Sequence, residues 1–183
     1  LAAVNRRIVL VLTGGSPIAL PEVTARIPAI LMLWYPGEQG GTALAQALFG
    51  LCSPAGRLPV TFVRSLDQVP PFADYRMQGR TYRFMTAAPQ YRFGYGLSYT
   101  RFAYSGLRLD QDRIGPDATA TVQVVVTNVG PCAGDEVAQL YVSDLVASVP
   151  VPRLHLEGFQ RVRLEPGDFY ADPLPKGADL AWV

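Results

Sequence analysis

Residues 35–50 read YPGEQGGTALAQALFG and join the end of a predicted strand to a short predicted helix through a loop with three glycines. The helix is expected over TALAQALF, with Thr42 as its N-cap and Gly50 as its C-terminal stop. Continuous apolar runs, which are typical of strands buried on both faces by helices, occur at 8–12, 29–34 and 58–63. We therefore predict an α/β structure with mostly parallel strands for residues 1–63.

The rest of the chain follows a different pattern, in which apolar and polar residues alternate. In ATATVQVVVTNVG, residues 118–130, three valines fall on one face and Thr121, Gln123 and Thr127 on the other. The segments EVAQLYVS and FQRVRL repeat this pattern between turn-forming residues. We predict an immunoglobulin-like β sandwich over 103–183, preceded by a linker or long loop over 64–102. The sandwich is expected to be incomplete, because residues 103–183 number 81, short of the ~100 typical of such domains.

Charge and composition exclude several classes of partner. Sixteen basic and fifteen acidic side chains give a net charge of +1 without a basic stripe, so no nucleic acid partner is expected. No apolar run approaches the roughly 20 residues that span a bilayer, so no membrane partner is expected either. Cys52 and Cys132, the two cysteines, are predicted to be separate thiols in different domains, with no metal site.

The beginning of the chain resembles the interior of a longer protein. LAAVNRR, residues 1–7, reads as the last turns of a helix and leads directly into the first buried strand. No signal peptide is visible. We therefore expect the sequence to be a fragment.

The glycine loop does not carry the residues of a nucleotide site. A P-loop needs a lysine and a hydroxyl residue after its second glycine, whereas Thr42 and Ala43 follow Gly41. The carboxylate of Glu38 would also repel a phosphate at the helix N-terminus. The segment TGGSPIAL, residues 13–20, lacks the second glycine of a nucleophile elbow.

Four residues are candidates for contacts with a hydroxylated ligand. Glu38 follows the carboxyl end of a predicted strand, where open α/β sheets bind ligands, although a glutamate in such a turn is more often simply solvated. Arg80 and Tyr82 in GRTYRF, with Arg83 and the nearby Tyr75, form an aromatic and cationic cluster in the long loop. Such a cluster suits sugar rings and hydroxyls, and it also suits a seam between domains.

Asp135 and Glu136 are adjacent and are expected to point to opposite faces of a strand.

Longer motifs carry a family resemblance. The segments PGEQGGTALAQALFG, SPAGRLPVTF, GRTYRF and FGYGLSYTRF resemble the C-terminal portion of a glycoside hydrolase family 3 enzyme. TNVGPCAGDEVAQLYVSD and LEGFQRVRLEPGD resemble the fibronectin type III-like domain that follows in many members. PPFADYRMQGRTYRF resembles the β-xylosidase branch of the family most, whereas members of the β-glucosidase type tend to carry a different sequence there.

The resemblance implies a function for a larger parent protein. Family members are retaining β-glycosidases that need no cofactor, and the parent would release terminal β-linked xylose or glucose from oligosaccharides. Their nucleophilic aspartate lies in an N-terminal barrel, and their acid/base glutamate lies upstream of the position that corresponds to Leu1, so no catalytic residue is assigned to this chain. The stretch at 35–50 would be a strand, turn and helix of the α/β sandwich domain beside the barrel. The resemblance implies a secreted, periplasmic or cytoplasmic bacterial parent.

Two other functions stay open at the level of the sequence. The chain could be a non-catalytic module that binds carbohydrate or stabilises a separate catalytic polypeptide. Nucleotide binding by the α/β part is a weaker alternative, because the glycine loop lacks the residues of a phosphate site.

Overall fold

The computed structural model describes residues 2–115 and 118–173. The chain divides into two compact units. The first unit contains Leu1–Leu51 and Leu58–Tyr95, and the second contains Cys52–Arg57 and Gly96–Val183. The predicted domain boundaries at 63 and 102 remain predictions, because compact units are defined by contacts rather than by ancestry. Across the described residues, no helix combines the length and the apolar character needed to cross a membrane.

The first unit is built on a parallel pair of strands. Strand β1 (Val9–Thr13) pairs with β2 (Ala29–Trp34), and their register runs from Val9 opposite Ala29 to Leu12 opposite Met32 before it shifts. Three helices and a 3-10 turn complete the unit: α1 (Pro21–Thr24), α2 (Gly40–Leu48), the 3-10 turn (Leu66–Gln68) and α3 (Thr81–Phe84). The two predicted strands at 8–12 and 29–34 are therefore confirmed to within one residue.

Helix α2 confirms the predicted helix but begins earlier than expected. Gln39, and not Thr42, is its N-cap, and the helix begins at Gly40, which packs against Pro36. A Cβ atom at Gly40 would lie 2.5 Å from the Pro36 side chain, so only glycine fits there. The predicted stop at Gly50 is correct, since its φ of +72° is the left-handed conformation that ends helices.

Two predictions for the first unit are wrong. Residues 58–63 do not form a strand, and the pairing of this segment with 91–95 is reduced to one isolated bridge between Phe62 and Tyr91. Further backbone bonds join Leu58 to Gly94 and Tyr95, both at 2.8 Å, but they do not extend this bridge into a strand. Residues 2–7 form turns and not the end of a helix; there the Asn5 side chain accepts a bond from the Arg7 N–H at 2.8 Å, a local bond that competes with helix formation.

In its described residues the second unit has two antiparallel sheets. One sheet has the order β3 (Phe102–Leu109), β4 (Val122–Asn128) and β7 (Phe169–Tyr170), and the other pairs β5 (Gly134–Val142) with β6 (His155–Leu164). Both sheets contribute to one apolar core, which contains Val126, Ala138, Val162 and Leu164. The alternating strands predicted from the sequence are confirmed.

Strand β7 lies at the start of FYADPLPKG, a segment that interrupts the alternating pattern of the sequence. Phe169 and Tyr170 pair with Thr127 and Val126 on β4 and extend that sheet. The remaining residues of the chain from 174 onwards lie outside the described part, so the expectation that the sandwich is incomplete stays an expectation.

Asp135 and Glu136 point to opposite faces of β5, as predicted. The exposed face pairs Asp135 with Arg161 at 2.6 Å and Arg163 at 3.4 Å. On the buried face Glu136 Oε2 accepts a bond from Arg57 Nη2 at 2.8 Å, and its Oε1 accepts one from the Val137 N–H at 3.0 Å. Burial, and then the charge of Glu136, raise the pKa of the neighbouring Tyr104 hydroxyl. These contacts attach residues 52–57 to the second unit.

A second polar cluster surrounds Asn128, which is 1% exposed. Its Oδ1 accepts bonds from Thr100 Oγ1 at 2.6 Å and the Gly130 N–H at 3.0 Å. Its Nδ2 donates to the carbonyl oxygens of Cys132 and Leu164, both at 2.9 Å. The side chain thereby connects both sheets and the segment that precedes β3, with every hydrogen-bonding position used.

Both cysteines lie in the second compact unit, whereas their assignment to different domains stays a prediction, as the domain boundaries do. Cys52 is exposed and Cys132 is partly buried, and both are free thiols.

Candidate functional site

The carboxyl ends of β1 and β2 form the first candidate region. The Gly14 N–H donates to the Trp34 carbonyl oxygen at 3.3 Å, which holds the two strand ends together. Trp34 has a φ of +54°, an uncommon conformation for a bulky residue that redirects the chain into the turn before α2. A Cβ atom at Gly15 would lie 2.8 Å from the Tyr35 ring, so the glycine allows the ring to cover this edge.

Glu38 lies in the turn directly before α2 and is exposed. A carboxylate at this position is stabilised by the positive end of the helix dipole. Its position beyond the end of β2 is the one predicted from the sequence. Whether Glu38 contacts a ligand stays a prediction.

The second candidate region is a compact loop, residues 70–80, which we call the aromatic loop. It contains two turns, closed by the bonds from the Asp74 N–H to Pro71 O and from the Arg80 N–H to Met77 O, both at 2.9 Å. Gly79 adopts a φ of +75°, which the second turn requires. Phe72 and Tyr75 extend from the loop with 91% and 86% of their surface exposed. The loop therefore presents two aromatic rings from a backbone with defined turns.

The side chain of Arg80 lies inside the aromatic loop. Its Nη2 is within hydrogen-bonding distance of three carbonyl oxygens, at 3.4 Å from Pro70, 3.0 Å from Pro71 and 2.5 Å from Asp74. Its Nε donates to the Arg76 carbonyl oxygen at 3.2 Å. A single guanidinium thus connects four backbone carbonyls of the loop.

A short-range ion pair stabilises the tip of the same loop. Arg76 Nη2 lies 2.7 Å from Asp74 Oδ2, and the Arg76 N–H donates to Asp74 Oδ1 at 3.0 Å. These hydrogen bonds from Arg76 lower the pKa of the Asp74 carboxyl from 3.8 to about 2. Asp74 is therefore ionised throughout the neutral and mildly acidic range.

An apolar cleft of about 400 Å³ lies next to the aromatic loop. Thr81, at the start of α3, has a φ of +56°, which is strained for a β-branched residue. This conformation aims Arg80 into the loop on one side and Tyr82 towards Phe93 on the other. The rings of Tyr82 and Phe93 are stacked, with centroids 4.3 Å apart. The cleft is lined by Pro59, Val60, Thr61, Val63, Val69, Met77, Gly79, Arg80, Thr81, Tyr82, Arg83, Met85 and Phe93.

The structure brings together some of the four predicted residues. Arg80 and Tyr82 line the same cleft, and Tyr75 projects from the loop that Arg80 connects. Glu38 is not among the cleft residues. Sequence reasoning did not single out Phe72 or the strained Thr81; the two prolines before Phe72 indicate a constrained loop, whereas nothing in the sequence predicts the conformation of Thr81.

Metal chemistry has little support in the described residues. Within 2–115 and 118–173, no group of three or more His, Cys, Asp or Glu side chains is arranged to hold a metal ion. The side chains that the region presents, Phe72, Tyr75 and Tyr82, are suited to stacking against ring faces.

Comparison with protein-family models identifies both parts of the chain. Residues 1–99 match the glycosyl hydrolase family 3 C-terminal domain, and residues 136–168 match a fibronectin type III-like domain. These matches agree with the resemblance inferred from the sequence motifs.

Individual proteins show the same similarity. A periplasmic beta-glucosidase of Salmonella typhimurium is 39% identical over 92% of this chain and 24% of its own length. A beta-xylosidase of Formosa agariphila is 41% identical over 90% of this chain and 23% of its own length. The crystal structure of a beta-D-glucoside glucohydrolase from Trichoderma reesei superimposes with a TM-score of 0.85 and 28% identity, over 96% of this chain and 29% of that one. The chain thus spans about a quarter of the length of the curated relatives it matches.

Proposed function

Because the chain belongs to glycosyl hydrolase family 3, as its C-terminal domain with a fibronectin type III-like domain, we propose that it is the C-terminal part of a retaining β-glycosidase. The observation that carries this proposal is the family match over residues 1–99. The proposed substrates are oligosaccharides with terminal β-linked xylose or glucose, since relatives named beta-xylosidase and beta-glucosidase match the chain equally well.

Catalysis in this proposal depends on a larger protein. Retaining glycosidases need a nucleophilic carboxylate and a second carboxyl group about 5–5.5 Å from it. We place neither group on this chain, which corresponds to about a quarter of its relatives' length. The role proposed for the chain is to support and complete the substrate pocket beside a catalytic barrel.

The residues proposed to face the substrate are Glu38, Tyr75, Arg80 and Tyr82. The exposed ring of Tyr75 can stack against the apolar face of a sugar, and the carboxylate of Glu38 can accept bonds from sugar hydroxyls. Tyr82 is held by its stacking on Phe93, so it would contribute one edge of a rigid cleft. No cofactor or metal ion is part of this proposal.

The first experiment compares the purified 183-residue chain with a longer polypeptide that also carries a catalytic barrel. We expect the longer protein to hydrolyse 4-nitrophenyl β-xyloside or β-glucoside and the chain alone to be inactive. Glu38→Gln in the longer protein is expected to raise KM and leave kcat measurable. Turnover by the chain alone that disappears in Glu38→Gln would show that the catalytic groups lie on this chain.

The exposed rings of Phe72 and Tyr75 also favour a second function, in which the chain binds carbohydrate without cleaving it. Binding of soluble xylan by the isolated chain, with loss of binding in Tyr75→Ala, would support this module. If the chain does not bind xylan and the longer protein is active, the binding-module proposal fails and only the glycosidase proposal is supported.

A further inference from the structure

We propose that Arg80 is a positioning residue: it holds the aromatic loop in one conformation and so orients Tyr75 towards the sugar, without itself binding the sugar. This inference rests on the proposed glycosidase function and deepens it. It also changes the role of Arg80 from a direct ligand of the sugar to a residue that acts through its neighbour.

The hydrogen bonds of Arg80 fix the backbone on both sides of Tyr75. Its Nη2 reaches carbonyl oxygens at both ends of the first turn, on Pro71 and Asp74, and its Nε reaches Arg76 further along. Tyr75 lies between Asp74 and Arg76, so the backbone on both sides of Tyr75 is bonded to the same guanidinium. The direction of the Tyr75 side chain is therefore set by Arg80.

The aromatic loop is exposed and depends on its hydrogen bonds for a defined conformation. Residues 71–73 and 75–78 are exposed, and the loop therefore has little apolar packing to stabilise it. Loops of this kind depend on their hydrogen bonds for a defined conformation. The ion pair between Asp74 and Arg76 is local, and it does not connect the tip of the loop to Pro70 and Pro71. The Asp74 N–H bond to Pro71 O closes the first turn, and Arg80 adds the side-chain bonds that also connect Pro70 and Arg76.

The shape of the guanidinium group explains why arginine, and not lysine, can make this set of bonds. Its planar fork places donors in several fixed directions, whereas the ammonium group of lysine is a point charge on a flexible stem. The Nε and Nη2 groups both face loop carbonyls, so a sugar hydroxyl would have to displace a backbone bond to reach them. Lysine at this position would keep the charge and lose the set of bonds.

The first measurement is hydrogen–deuterium exchange of the backbone amides of Asp74 and Arg80 in the 183-residue chain. We expect Arg80→Gln and Arg80→Lys to raise exchange at these amides by about tenfold or more, as local opening becomes easier. Arg64→Gln is the matched control, since Arg64 is an exposed arginine of the same unit that donates to a single carbonyl, Ala88 O, at 3.3 Å. Equal exchange in Arg80→Gln and Arg64→Gln would overturn the proposal.

The second measurement separates positioning from direct binding in the longer, active enzyme. If Arg80 acts through Tyr75, Arg80→Gln and Tyr75→Ala each raise KM by about tenfold, and the double variant is no worse than Tyr75→Ala alone. Additive effects on KM would overturn the proposal, because Arg80 would then contact the sugar independently. If the enzyme hydrolyses neither aryl β-glycoside, the proposed function fails instead, and the exchange result on Arg80 is unaffected.

Discussion

Replacing Arg57 by methionine is predicted to destabilise the second compact unit by about 3–5 kcal/mol, because the change leaves the Glu136 carboxylate buried without its cation. The two side chains are 11% and 12% exposed, and their charged atoms are 2.8 Å apart. Methionine fills a similar volume, so the loss reflects the uncompensated charge and the bonds of Arg57 to the Ala55 and Gly56 carbonyls rather than a cavity. The hydrogen bonds that Glu136 keeps, from the Val137 N–H and the Tyr104 hydroxyl, carry no full positive charge and are not expected to offset it.

The same strand provides a matched control. Asp135 precedes Glu136 and pairs with Arg161, whose side chain is 66% exposed. Exposed pairs contribute about 0–1 kcal/mol, so Arg161→Met is expected to have little effect on stability. The double variant Arg57→Met with Glu136→Met should recover most of the loss, since buried ion pairs can often be replaced by apolar residues without net cost.

Urea unfolding followed by circular dichroism and by near-ultraviolet absorbance gives the free energies. We expect the free energy of unfolding of Arg57→Met to be several kcal/mol lower than that of Arg161→Met. The double variant is expected to be more stable than Arg57→Met. A loss of less than about 1 kcal/mol for Arg57→Met would refute this prediction, because that is the value of an exposed pair.

Three further predictions concern single positions. Asn128→Ala should cost about 2–4 kcal/mol in urea unfolding, because it removes four hydrogen bonds and leaves buried partners unsatisfied; a loss below about 1 kcal/mol would contradict this. Gly96→Ala should lower the melting temperature, since its Cβ atom would overlap the Gly56 carbonyl oxygen, whereas Gly115→Ala meets no atom within 4 Å and should not. In a carboxyl NMR titration Asp74 should titrate near pH 2, and Arg76→Gln should return its pKa towards 3.8. Because this pKa is lowered, the stabilisation is present above pH 3.8 and is lost as the pH falls through about 2.

The strands of both units could be predicted because their apolar pattern follows directly from burial. The continuous run AILMLW and the alternating run VQVVVTN each have one structural solution in this chain, as β2 and β4. The segment 58–63 has the same apolar character, yet its only bridge is to Tyr91, in a segment about 30 positions away in the described chain. A local pattern does not contain that information.

The candidate site was predictable in composition but not in role. The sequence singled out Arg80 and Tyr75 because arginine and aromatic residues suit sugar recognition. It could not show that the guanidinium faces the loop backbone, since this depends on the turn at Met77–Arg80 and on the strained φ of Thr81. The pairing of Glu136 with Arg57 was likewise hidden, because 79 positions separate the two residues in the sequence.

The excursion of residues 52–57 has a practical consequence for dissecting the chain. The polypeptide passes from the first compact unit to the second at 51/52, returns at 57/58 and passes over again at 95/96. No single cut therefore yields two intact units. A protease nick after Tyr95 leaves residues 52–57, a six-residue strap of the second unit, covalently attached to the first. A chimaera that exchanges only 96–183 would carry a foreign strap, with Arg57 facing whatever residue replaces Glu136, so the two pieces must be transplanted together.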